Sequence, residues 1–238
     1  MKTQVLRALR LLLLTVTVLV AFGMRSSVAH AADDETTEEW AFKALLTIAP
    51  PEKLITVRKD ETIEEMRTRY ASIAKDLAEV VDNGKPLFGG KRGRRHTAAL
   101  LMSIGYFESG FVKSVGSGKV RGDGGRSWCY MQINLGKGKV YFGTPEMLEW
   151  TGQDLVGESA TKCFKVGLET IRMSMGACRS RAQADWLSAY TSGRCQDNEP
   201  KARSRWSFAG TLVQRVAAAP PSAVVAVEPS TKGPLSFN

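Results

Sequence analysis

The chain has 238 residues, with 33 Lys and Arg against 24 Asp and Glu, a formal net charge of +9, four cysteines and two histidines. So few histidines make a Ser-His-Asp or Cys-His centre hard to assemble. With no CxxC pair either, a zinc site is disfavoured, and neither a metal nor another cofactor is expected.

Lys2, Arg7 and Arg10 open a targeting segment, residues 11–22 form its apolar run, and Ala29-His30-Ala31 offers small residues for cleavage before Ala32. The run is too short for a comfortable membrane span, an uncleaved anchor being the alternative. No cysteine lies near the cleavage site to carry a lipid. The sequence therefore predicts a signal peptide over 1–31 and an exported, periplasmic or extracellular monomer with no stable membrane span after cleavage. Cleavage removes Lys2, Arg7, Arg10 and Arg25 and brings +9 to +5.

Residues 32–60 read as an acidic leader, with a short helix over 40–48 ended by Pro50-Pro51. The main domain is expected over 61–218. It opens on an amphipathic helix, 61–82, in which Ile63, Met66, Tyr70, Ile73, Leu77 and Val80 recur at helical steps and Asn83-Gly84 stops it. The basic, Gly-rich stretch 89–95 lacks the GxxxxGK[ST] spacing of a phosphate cradle and reads as a solvated loop. Residues 97–107 are apolar on all sides, the pattern of a buried central helix. Residues 112–140, rich in Gly, Ser and Lys with β-formers at Trp128, Tyr130 and Ile133, suggest a small irregular β-lobe. Helices are expected again from Thr144-Pro145-Glu146, then over 161–175, 183–190 and 202–218. The tail, 219–238, lacks periodicity and reads as disordered. The fold class is α+β, mainly helical, with the lobe after the central helix.

Charge is uneven: 32–83 carries a net −6 and 84–140 a net +9. The basic stretch fits either a polyanionic partner, for an exported chain an anionic cell-wall polymer or lipid surface rather than nucleic acid, or a merely solvated surface. The even cysteine count in an exported chain reads as two disulfides, with three pairings open.

The central helix ends in Gly105-Tyr106-Phe107-Glu108-Ser109-Gly110-Phe111. A carboxylate there stands against the negative end of the helix dipole and beside apolar residues. Both favour its neutral form, which a general acid needs; the alternative is a glutamate frayed into solvent.

Three motifs follow in order: Glu108-Ser109-Gly110, Tyr130-Met131-Gln132-Ile133-Asn134 and Ala189-Tyr190-Thr191-Ser192-Gly193. In this order and spacing the chain resembles, over roughly residues 95–195, the lysozyme-like soluble lytic transglycosylases and goose-type lysozymes. The resemblance implies a lysozyme-like fold and a muramidase acting on peptidoglycan glycan strands, cutting between N-acetylmuramic acid and N-acetylglucosamine. It implies Glu108 as the general acid, Ser109 orienting the substrate's N-acetyl group, Met131 and Gln132 lining the sugar cleft, and Tyr190 bonding Glu108. The alternatives are a cap for Ser109, packing for Met131 and a half-buried core role for Tyr190. Cys129 and Tyr130 stand where the family has Gly and Leu, and Thr191 where it has Asn.

Asp123 is the only acid between Glu108 and the Met-Gln strand. In goose-type lysozymes a similarly placed aspartate holds the water for inversion; the second one, after the strand, is here Asn134. Asp123-Gly124 is equally ordinary turn chemistry. Without Asp123, the N-acetyl group attacks C1 and a lytic transglycosylase forms a 1,6-anhydro product, the leading reading. A glycan-binding protein of lysozyme fold without activity is a further alternative.

Cys178–Cys195 would staple two consecutive helices and hold Tyr190 toward the cleft. Cys163, a helix length from Cys178, is then left for Cys129, whose strand must lie at the cleft floor if Gln132 touches sugar.

Overall fold

A computed structural model describes residues 35–90 and 92–218. The chain divides into Met1–Thr36 and Thr37–Asn238, and the fold below is that of the second unit. The expected signal peptide, 1–31, the first residues of the leader, 32–34, and the tail, 219–238, lie outside the described residues.

The helices are Thr37–Ile48 (α1), Pro51–Leu54 (α2), Ile63–Asn83 (α3), Gly93–Ser109 (α4), Lys113–Gly116 (α5), Thr161–Ala177 (α6), Ser188–Ser192 (α7) and Pro200–Ala218 (α8). The strands are Ser127–Trp128 (β1) and Ile133–Asn134 (β2), paired antiparallel with Ser127 opposite Asn134 and Trp128 opposite Ile133. The described residues are thus mainly helical with one small β-hairpin, as the composition of 112–140 anticipates.

α3 starts where its sequence dictates. Thr62 Oγ1 accepts the Glu65 N–H at 3.1 Å, and Glu65 Oε2 accepts the Thr62 N–H at 2.7 Å, a reciprocal capping box. Its inner stripe, Met66, Tyr70, Ile73, Leu77 and Val80, is buried, whereas Ile63 in the first turn is exposed. α4 is the central helix. Every residue from Thr97 to Gly105 is buried, and it packs against α1, α3, α6 and α8. It begins four residues before the expected start, so 93–95 are helix rather than loop.

Three other expectations change. Residues 40–58 do not stand outside the domain: Trp40, Ala41, Ala44 and Leu45 of α1 belong to the same core as α3 and α4. Apolar residues on one face of a leader helix outweigh its surface acids, because burial rewards the face and leaves the acids solvated. Thr144-Pro145-Glu146 leads into a single 3-10 turn, Met147–Glu149, not a full helix; Met147 and Trp150 bury there, and no longer apolar stripe extends it. Residues 183–190 divide into a 3-10 turn, Gln183–Asp185, and α7.

Both disulfides pair as expected, Cys129–Cys163 and Cys178–Cys195. The first ties the hairpin lobe to α6 and the second closes the segment carrying α7. Among the described residues, no helix is long and apolar enough to cross a membrane.

α6 is capped from another helix. Asp76 of α3 is buried and accepts the Ala160 N–H at 2.6 Å and the Ser159 and Thr161 hydroxyls at 3.2 Å. Ala160 carries no side-chain cap of its own. Asp76→Ala is therefore expected to lower stability by about 1–2 kcal/mol, the upper part of the range for lost caps, read as a fall in the urea midpoint. An unchanged midpoint would show that water replaces the carboxylate without loss.

Candidate active site at the end of the central helix

The last turn of α4 presents Glu108 and then reverses. Gly110 and Phe111 both adopt positive φ, 56° and 53°. For Phe111 that conformation costs about 1–2 kcal/mol. Complete burial of its ring offsets the cost: the ring packs beside Tyr130, centroids 5.6 Å apart. It also fills the space over Gly105, where a Cβ would come within 2.7 Å of it. Arg58 donates to the Gly110 carbonyl and Arg69 to the Phe111 carbonyl, so two guanidinium groups hold the outgoing chain. Ser109 Oγ donates to the Gly105 carbonyl at 2.8 Å and accepts the Phe111 N–H at 3.1 Å, which makes it a brace of the helix end.

The apolar surroundings expected for Glu108 are not what it meets. Arg205 Nε and Nη2, from α8, donate to its Oε1 at 3.1 and 2.7 Å. The cause is tertiary. α8 crosses α4, and the buried Ser103 hydroxyl donates to the Arg205 carbonyl at 2.7 Å, setting the arginine over the α4 terminus. Both guanidinium bonds fall on Oε1. Among the described residues Oε2 has no hydrogen-bond partner, and the Glu108 side chain stays 23% exposed.

Tyr190 does not bond Glu108. Its hydroxyl donates to the Met131 carbonyl at 2.5 Å, a main-chain acceptor on a fully buried residue. Its N–H donates to Ser174 Oγ at 3.0 Å. Burial, and then the negative charge of Glu108, push the phenol well above its ordinary range, while Arg205 opposes. Tyr190 therefore joins the third motif to the second.

Met131 lies against Gly167 in the core. The Gln132 amide is committed to the loop: Oε1 accepts the Gly122 N–H and Nε2 donates to the Cys129 carbonyl, both at 3.0 Å. Met131 is therefore a packing residue, and half-buried Gln132 ties the turns of the lobe together.

Asp123 is exposed, with φ 49°. Its Oδ2 accepts the Ser127 hydroxyl at 2.5 Å and the Asn134 amide at 3.2 Å. These two bonds, Ser127 first, hold the carboxyl below the usual aspartate value, and the charges of Arg126 and Lys201 add to them. Asp123 thus braces the turn and offers an ionised carboxylate at the same time.

A cavity of about 630 Å³, lined among others by Glu61, Glu65, Arg69, Lys113, Tyr130 and Glu158, does not include Glu108. Among the described residues, no group of three or more His, Cys, Asp or Glu is placed to hold a metal ion.

Sequence reasoning missed Arg205 and the network that seats it. Lys201, Arg205 and Phe208 recur at steps of four and three on α8, a stripe that periodicity exposes. Asp185, fully buried, accepts the Asn198 and Glu199 N–H groups at 3.1 Å and a two-pronged Arg203 at 2.8 and 2.7 Å. Glu199 in turn accepts the Ala202 N–H and the Thr191 hydroxyl. Two carboxylates thereby anchor the positive end of α8.

Comparison with protein-family models, curated proteins and solved structures finds no match to this chain.

Arg203, assisted by the backbone N–H groups, lowers the Asp185 pKa from 3.8 to about 2. A depressed carboxylate contributes stability above its unfolded pKa, near 4, and loses it as pH falls through the folded value. Stability should therefore decline between about pH 4 and pH 2 partly through this residue. Asp185→Asn should be less stable at pH 7 and show a flatter decline in that window, measured by urea unfolding across pH. Parallel curves for the two proteins would remove Asp185 as the cause.

Proposed function

We propose that the protein is an exported peptidoglycan-cleaving muramidase of lysozyme-like fold, acting as a lytic transglycosylase with Glu108 as its acid and base. The observation that carries this reading is the setting of Glu108. It ends a buried central helix, Arg205 engages one oxygen, and Oε2 is left for a substrate atom. Tyr190 and Met131, from the two other motifs, meet each other, and the charge of Glu108 acts on the Tyr190 phenol. The exposed basic residues of the lobe, among them Lys119, Arg121, Arg126 and Lys137, suit a strand bearing carboxylates.

In the proposed reaction a proton passes from Oε2 to the glycosidic oxygen as the C1–O bond breaks. The substrate's N-acetyl oxygen closes on C1. Glu108, now a carboxylate, takes the proton of the 6-hydroxyl, whose oxygen displaces the acetamido oxygen and gives the 1,6-anhydro end. Arg205 orients the carboxyl so that a single oxygen does the proton work. It also replaces the apolar pocket with a charge, so the acid step requires Arg205 to yield part of its hold as the sugar enters.

One observation favours a second reading, an inverting hydrolase. Asp123 is exposed and held ionised by Ser127 and Asn134, the state a general base needs.

Mass spectrometry of digested peptidoglycan separates the readings: anhydro ends are expected, and reducing muramic acid ends would mean hydrolysis. Glu108→Gln should retain less than about one hundredth of the activity, since general acid catalysis contributes 10²–10⁴-fold. Asp123→Asn should change the rate by a few-fold in a transglycosylase and as severely as Glu108→Gln in an inverting enzyme. Wall binding by the unmodified protein without any cleavage would identify a binding protein instead.

A further inference from the structure

Beside Glu108 lies an aromatic cluster that none of the motifs includes. Tyr106 and Phe208 stack in parallel, centroids 5.4 Å apart with 3° between planes. Phe107 meets Phe208 edge-on at 5.4 Å and 78°. Phe107 is 41% exposed, although it is an unbranched aromatic in the last turn of an otherwise buried helix. The Arg205 guanidinium that bonds Glu108 also lies 5.2 Å from the Phe107 ring centre. The ring and the carboxylate are therefore parts of one surface, joined by a shared cation.

Resting on the muramidase reading, we propose that Phe107, held in place by Phe208 and Tyr106, is a stacking platform for a pyranose ring of the glycan strand next to the bond that Glu108 cleaves. The chemistry fits a sugar better than a membrane or a partner helix. A pyranose has one face of C–H groups, slightly positive, which the electron-rich face of an aromatic ring attracts. Its rim carries hydroxyl groups that need donors and acceptors; Glu108 is the next residue along the helix, and the Arg205 guanidinium that bonds it overlies one side of the ring. A lipid surface or an apolar helix would need a broader patch. Among the described residues the other large exposed hydrophobics, Val57, Ile63, Val120, Tyr141, Leu148 and Met173, lie outside α4 and α8. A single exposed ring bordered by an ion pair has the dimensions of one sugar unit.

The platform also gives the α8 stripe a purpose. Arg205 holds Glu108, and Phe208, less than one turn further along, wedges the platform. One face of one helix thus carries both the partner of Glu108 and the support of the platform.

The test combines binding and turnover. In a Glu108→Gln background, which binds without cutting, sedimentation with purified peptidoglycan stripped of its stem peptides reports affinity directly. Adding Phe107→Ala should weaken that binding about tenfold, the scale of a lost aromatic contact. In the active protein Phe107→Ala should raise KM by a similar factor with kcat within about twofold. Phe107→Trp should bind as tightly or more tightly, and its fluorescence should change on adding N-acetylglucosamine tetramer. Equal thermal melting of the variants would show that the fold is intact. Cleavage by the unmodified protein together with unchanged binding and KM in Phe107→Ala would overturn the platform alone. Absence of both glycan binding and cleavage in the unmodified protein would overturn the muramidase reading, and the platform with it.

Discussion

Arg205 reaches Glu108 because two helices far apart in sequence cross at a buried serine. The Ser103 hydroxyl donates to the Arg205 carbonyl and so sets the register of α8 on α4. From that register the guanidinium falls on the last turn of α4, where Glu108 supplies the charge it needs. A cation this deeply packed, with a side chain only 9% exposed, is costly unless paired. The pair therefore constrains both partners: α8 cannot slide without stranding the arginine, and Glu108 cannot swing away without doing the same. Phe107, Phe208 and Lys201 take their places from the same crossing.

A second set of polar contacts secures the turn that follows Glu108. The chain leaves α4 through two left-handed residues, one of them phenylalanine, and its carbonyls would otherwise face the protein without partners. Arg58 and Arg69 satisfy them, and Arg58 is fixed in turn by a 2.9 Å bond to the Tyr70 hydroxyl while Glu61 holds Arg69 at 2.6 and 2.7 Å. Arg58 belongs to the stretch that reads in sequence as an acidic leader. Its contact with Gly110 draws that stretch into the architecture of the site. The disulfides act at the other side: Cys129–Cys163 ties the lobe to α6, and Cys178–Cys195 closes the segment of Tyr190.

Side chains singled out as substrate contacts turn out to serve the scaffold. Ser109, Met131 and Gln132 spend their hydrogen bonds or their surface inside the protein, whereas Asp123 and Lys201 are exposed and Glu108 is half-exposed. This division makes physical sense for a lobe of two-residue strands. So short a hairpin has few ladder bonds of its own, and side-chain amides and hydroxyls such as those of Gln132, Ser127 and Asn134 hold its turns.

By itself the sequence determined what depends on near neighbours along the chain. The capping box at Thr62, the apolar stripe of α3, the all-round burial of α4 and the glycine stop at Gly110 follow from periodicity and backbone preference, which act over a few residues. For the disulfides, the helix length between Cys163 and Cys178 excludes one of the three pairings, and the choice between the other two leaned on the stapling of consecutive helices and on the cleft position that the resemblance implies for Gln132. Tertiary structure alone decided the surroundings of Glu108 and the partner of the Tyr190 hydroxyl. It also decided that α1 joins the core and that Thr144–Pro145 starts only a short turn. The partner of Glu108 is 97 residues away, and no local rule can assign a donor to an acceptor across that distance. A side chain's electrostatic environment is set by whichever elements pack over it, and that is settled when the helices cross.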